Sequence, residues 1–193
     1  MSVLLLDADG VVFEKGVYFS THLAQKQGVP EEVVTDFFKH EYLPCQSGLS
    51  DLKQVIEPYL EKWKWSGSVD DLLTYWFEYD TNLNESVAKH IRVLRSQGVQ
   101  CYLASNNEQY RADHLRKVLN AEGLLEGYFF SSDSDFKVRK SSPEFFKKIL
   151  DRLVVTSDVV SYIDNDQGNL DAADTLGIKT YLYRDDIFTI LKF

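Results

Sequence analysis

The sequence predicts a parallel α/β sheet interrupted after its first strand by an all-helical insert. Three observations predict it: aliphatic runs of strand length alternate with amphipathic segments from about residue 84 onward, an earlier stretch carries helical patterns alone, and polar residues gather where each strand ends.

Val3-Leu4-Leu5-Leu6 is the first strand, an unbroken aliphatic run suited to burial on both faces. It delivers Asp7-Ala8-Asp9-Gly10, two carboxylates two residues apart and a glycine that lets the backbone turn away. Pro30 with Glu31 and Glu32 then opens a helix continued by Val33, Val34, Phe37 and Phe38. Ser50 is a candidate N-cap for a helix running to Leu60, and Ser68-Val69-Asp70-Asp71 is a capping-box-like start for Leu72, Leu73, Tyr75, Trp76 and Phe77. Pro44 to Gly48 and Trp65 to Gly67 read as links. Residues 18–82 therefore read as a helical cap, and 1–17 with 83–193 as the α/β core.

The core pattern resumes with a helix at Asn84–Gln97, closed by Gly98, and a strand at Val99–Ala104. A helix at Asn107–Asn120 and a short strand at Tyr128–Ser131 follow. Ser142 caps the next helix, with Pro143 at its first position. Val159–Asp164 is a strand, Asn169–Leu176 a helix ended by Gly177, and Ile178–Tyr183 the last strand. Repeated strand–helix units imply a parallel sheet with helices on both faces, and ligands of such sheets gather at the carboxyl ends of the strands.

Composition narrows the function classes. A net charge of −9 with no Lys/Arg stripe argues against nucleic acid. No apolar run approaches the ~20 residues of a membrane span, and nothing at the N-terminus resembles a signal peptide. Cys45 and Cys101, few and far apart, suit a reducing cytoplasm. The four histidines have no metal-like spacing. Asp7 and Asp9 repel each other unless a cation lies between them or one carries a proton, and both options suit attack on a phosphate ester. A calcium loop is excluded, because the twelfth position counted from Asp7 is Tyr18 rather than Glu.

The strand ends together resemble the haloacid dehalogenase superfamily. Asp7-Ala8-Asp9-Gly10 matches its first motif and Leu103-Ala104-Ser105-Asn106-Asn107 its second. Lys140-Ser141-Ser142-Pro143-Glu144-Phe145-Phe146 resembles the third, and Tyr162-Ile163-Asp164-Asn165-Asp166-Gln167-Gly168-Asn169 the fourth. Ser141 stands where the family usually has proline, and Asn165 where it often has a second acid. Nearly the whole chain is covered, and the arrangement looks most like the helical-capped subgroup that includes α-glucose-1-phosphate phosphatases and the phosphatase domain of soluble epoxide hydrolase.

The resemblance implies a Rossmann-like core and a magnesium-dependent phosphatase of small phosphate esters. Asp7 would be the nucleophile and Asp9 the general acid and base. Ser105, Asn106 and Lys140 would bind the phosphoryl group, and Asp7, the Asp9 carbonyl and Asp164 would hold Mg2+. Two alternatives stand beside it: a phosphomutase of the β-phosphoglucomutase kind, and a binding protein that kept the fold without catalysis.

Overall fold

The structure, a computed structural model, describes residues 2–190. Met1 and residues 191–193, which the sequence assigns to the α/β core, lie outside the described residues. Five parallel strands, β1 (Val3–Leu6), β2 (Gln100–Ser105), β3 (Gly127–Phe130), β4 (Val160–Asp164) and β5 (Lys179–Leu182), stand in the order β3-β2-β1-β4-β5. β1 is central, with Leu4 paired to Cys101 on one side and to Ser161 on the other. Strand order reverses between β1 and β4, so a crevice opens at their carboxyl ends, the usual ligand position of such sheets.

Between β1 and β2 run α1 (Phe19–Gln27), α2 (Glu31–Lys39), α3 (Tyr42–Gln46), α4 (Leu52–Ile56), α5 (Tyr59–Lys62), α6 (Val69–Tyr79) and α7 (Glu85–Ser96). The first six share an aromatic cluster that includes Phe19, Phe37, Trp63, Leu72 and Trp76. α8 (Gln109–Glu122), α9 (Pro143–Leu153), α10 (Gln167–Asp174) and α11 (Ile187–Ile190) complete the chain in order.

The sheet buries both faces. Side chains alternate along a strand, so Leu4 and Leu6 pack with Val87, Ile91 and Leu115 of α7 and α8, while Val3 and Leu5 pack with Phe145, Ile149 and Leu170 of α9 and α10. Each such side chain removed from water stabilises the fold by roughly 1.5–3 kcal/mol.

Several elements differ from the sequence expectation. Pro44 lies inside α3 rather than in a link; in a first turn its missing N–H costs nothing. The helix expected to run from Ser50 to Leu60 breaks at Pro58 into α4 and α5, and Asp51 caps it, accepting from the N–H groups of Lys53 and Gln54. α8 starts at Gln109 and is capped by the Glu108 carboxylate. The expected capping box forms, with Ser68 and Asp71 bonding reciprocally.

Candidate active site

The six residues singled out from the sequence, Asp7, Asp9, Ser105, Asn106, Lys140 and Asp164, all line one cavity of about 730 Å3. The sheet edge forms its floor, and Phe19, Phe38, Gln46 and Trp76 of the helical unit complete its wall. β1 ends directly at Asp7, β2 at Ser105 and β4 at Asp164, so the parallel register itself brings these three side chains together.

Lys140 is the buried cation of the site. Its Nζ donates to Asp7 Oδ1 and, at 2.7 Å, to Asp164 Oδ2. Burial penalises the ammonium, yet the Asp7 and Asp164 carboxylates hold it above its usual value. The Asn106 side chain fixes the lysine's backbone, with Oδ1 accepting from the Lys140 N–H at 2.8 Å.

Burial pushes the Asp7 carboxyl up to about 7; Lys140 pulls it down, and the Asp164 and Asp9 carboxylates push it up again. Asp164 is fully buried and densely bonded. Its Oδ2 accepts from Lys140, from the Tyr162 hydroxyl and from Asn169 Nδ2 at 3.1 Å, while Oδ1 accepts from the Asp166 N–H at 2.8 Å. Ser105 Oγ accepts from Asn107 Nδ2 at 2.7 Å, which leaves the hydroxyl proton free to donate into the cavity.

Asp9 stands differently. Its side chain is 48% exposed, and both carboxylate oxygens meet the Arg111 guanidinium, Oδ1 at 2.5 Å and Oδ2 at 3.0 Å. Its carbonyl accepts from Asn165 Nδ2 at 2.9 Å. Gly10 follows with φ +82°, a left-handed conformation that favours glycine at this turn.

Six carboxylates line the cavity (Asp7, Asp9, Glu14, Asp80, Asp164, Asp166) against three cations, Lys15, Arg111 and Lys140. Among the described residues no three His, Cys, Asp or Glu side chains form a ready metal cage. The oxygen donors at the sheet edge are instead mixed: the Asp7 and Asp164 carboxylates and the Asp9 carbonyl. Arg111, Asn107 and Tyr162 escaped the sequence analysis as site residues; no local signal marks Arg111, whose partner Asp9 lies 102 residues away in sequence.

No helix among the described residues is long and apolar enough to cross a membrane. No curated protein matches the chain in sequence. Among solved structures, the HAD family enzyme BT-2542 of Bacteroides thetaiotaomicron superimposes with a TM-score of 0.78 at 21% identity, over 96% of this chain and 94% of that one. A further structure of that enzyme holds magnesium and inorganic phosphate, and superimposes with a TM-score of 0.74 at 20% identity over 96% and 95% of the two chains. The L-2-haloacid dehalogenase PA0810 is similar at a TM-score of 0.69 and 16% identity, over 97% of this chain and 86% of that one. At such identities the likeness concerns the fold. The family itself follows from the sequence: the model for haloacid dehalogenase-like hydrolases matches residues 1–177, from before β1 to beyond α10. Strand order, the polar strand ends and that match agree, and the chain belongs to the haloacid dehalogenase-like hydrolase family.

Proposed function

We propose that the protein is a magnesium-dependent phosphatase of small phosphorylated metabolites, acting through an aspartyl-phosphate on Asp7. The observation that carries this reading is the second carboxylate, Asp9, in the same cavity as Asp7. An alkoxide leaving group needs a proton and a halide does not, so an acid beside the nucleophile favours phosphate esters over haloacids.

In the first step an Asp7 carboxylate oxygen attacks phosphorus, and the ester oxygen departs with a proton from Asp9. In the second, Asp9 takes a proton from water as that water attacks the phosphorus of phospho-Asp7, releasing phosphate and restoring the carboxylate. The Ser105 hydroxyl and the Lys140 ammonium hold phosphoryl oxygens and meet the charge that grows on them. Asn106 orients Lys140 through its backbone N–H.

The carboxylate excess and the hard oxygen donors suit a magnesium ion, as does the Bacteroides relative seen with magnesium and phosphate. Asp7, the Asp9 carbonyl and Asp164 would hold it. Bound there, magnesium offsets the repulsion between an anionic substrate and these carboxylates. Residues 18–82 act as a cap that limits entry to small esters free in the cytoplasm.

The test is phosphate release from a panel of sugar phosphates, nucleotides and other small esters, with magnesium or with EDTA. Wild-type protein is expected to release phosphate only with magnesium, and Asp7→Asn not at all. Release that survives EDTA or the Asp7→Asn change contradicts the reading, as does halide release from 2-haloacids without any phosphatase activity.

A further inference from the structure

We propose that Arg111 is a positioning residue: its guanidinium spans both carboxylate oxygens of Asp9 and, through Asn107, ties them to the Ser105 hydroxyl. The role of Asp9 rests on the phosphatase reading; the way Asp9 is held rests on geometry alone. Arg111 Nη2 meets Asp9 Oδ1 at 2.5 Å and Nη1 meets Oδ2 at 3.0 Å, a two-point fork that fixes the carboxylate plane as well as its place. The same Nη1 donates to Asn107 Oδ1 at 3.1 Å, and Asn107 Nδ2 donates to Ser105 Oγ at 2.7 Å. One continuous chain therefore runs from the proton-transferring carboxylate to the hydroxyl that faces the phosphoryl group.

Helix formation does not call for this arginine. It sits in the first turn of the 14-residue helix α8, where the helix dipole disfavours a positive charge. Its side chain is only 6% exposed whereas its partner's is 48% exposed, so a buried cation is paired with a carboxylate that water already solvates. Burial penalises such a charge, and the carboxylates of Asp9 and Asp80 outweigh that penalty here. Its Nε is buried and has no hydrogen-bond partner among the described residues, although most buried donors in a folded protein find one. The side chain forgoes that bond while both Nη atoms are spent on Asp9 and Asn107.

The surroundings are arranged to tolerate the placement. Glu108, 1% exposed, caps α8 by accepting from the N–H groups of Tyr110 and Arg111 at 2.8 and 2.6 Å, which sets a carboxylate beside the buried guanidinium. Asn107 is likewise 1% exposed and locked on both sides. A fork held by such neighbours can set the direction of Asp9 even though Asp9 itself borders the open cavity.

The test compares wild type with Arg111→Met, which keeps the volume and loses the fork, and Arg111→Lys, which keeps the charge but cannot span two oxygens. In crystals of Arg111→Met the Asp9 carboxylate is expected to leave the orientation it has here. Catalysis is read as kcat/KM on two esters, an alkyl phosphate whose alkoxide needs a proton and p-nitrophenyl phosphate whose phenolate does not. The expected loss for Arg111→Met is ~10²-fold on the alkyl ester and less than about tenfold on the nitrophenyl ester, the bias that a misplaced general acid produces. Arg111→Lys shows the same bias with a smaller loss, and it carries the comparison if Arg111→Met fails to fold. Equal losses on the two esters, or an Asp9 carboxylate unmoved in the variant crystal, overturn the proposal. Wild-type protein that hydrolyses neither ester overturns the phosphatase reading instead, and the crystal comparison still decides the role of Arg111.

Discussion

Lys140 and Asp164 at the sheet edge are as deeply buried, at 2% and 0% exposure, as Trp63 in the helical unit at 0%. The physical meaning of that burial differs between the two regions. Around Trp63 the neighbours are Phe37, Phe38 and Tyr59, and the indole N–H has its one partner in the Val33 carbonyl at 3.1 Å. Water is excluded from apolar surface there, and exclusion itself stabilises. At the sheet edge the same exclusion works against the fold, because each ion leaves its hydration behind and regains it only through exact partners. What the second region gains is orientation: a lysine held between two carboxylates, and an aspartate aimed by an arginine. One region holds the chain together, and the other uses part of that stability to keep charged groups in place.

The contrast breaks hardest at Lys140. Lys140→Met leaves Asp7 and Asp164 buried without their cation, for an expected loss of about 3–5 kcal/mol together with the loss of turnover. Trp63→Ala costs a similar ~3–5 kcal/mol through the cavity it opens. Denaturant titrations at several pH values separate the two causes. The Lys140→Met penalty shrinks as pH falls and the orphaned Asp7 carboxylate takes a proton, whereas the Trp63→Ala penalty stays constant. Parallel pH dependence in the two variants refutes the distinction.

A smaller effect sharpens the comparison at the helix that carries Arg111. Burial pushes Glu108 up from 4.5 to about 7, although its two backbone donors and Arg111 pull the other way. The folded protein therefore binds a proton at Glu108 that the unfolded chain has released, and stability falls as pH rises from 4.5 toward 7. The shift corresponds to at most about 3 kcal/mol across that window. Glu108→Gln removes this part of the slope, so its stability should decline less than that of wild type between those pH values. Identical slopes would show that Glu108 does not titrate in this way.

Much of the architecture is legible in the chain because its signals are local. Four aliphatic residues before Asp7-Ala8-Asp9-Gly10 read as a buried strand closed by a turn, and Ser68 with Asp71, or Ser142 with Pro143, announce helix starts within a single turn. The catalytic candidates are legible for a related reason: a parallel sheet gathers its strand ends, so Asp7, Ser105 and Asp164 need no further information to meet. Pro44 and Pro58 were harder to read, since proline is accepted in a first turn and breaks a helix elsewhere, and only packing decides which applies. Arg111 was illegible for a deeper reason. An arginine near a helix start reads as a surface residue, and its partner Asp9 lies 102 residues away in sequence. Asp164 shows the same limit: its place at a strand end is readable, but not the Tyr162 and Asn169 donors that share its Oδ2 with Lys140.

The central claim is that water attacks phosphorus, not carbon, in the covalent intermediate on Asp7. A single turnover of a phosphate ester in heavy-oxygen water tests it directly. The account predicts the heavy oxygen in the released phosphate and none in the Asp7 carboxylate. Label in the Asp7 carboxylate, where hydrolysis of an ester through its carboxyl carbon would leave it, would contradict the account.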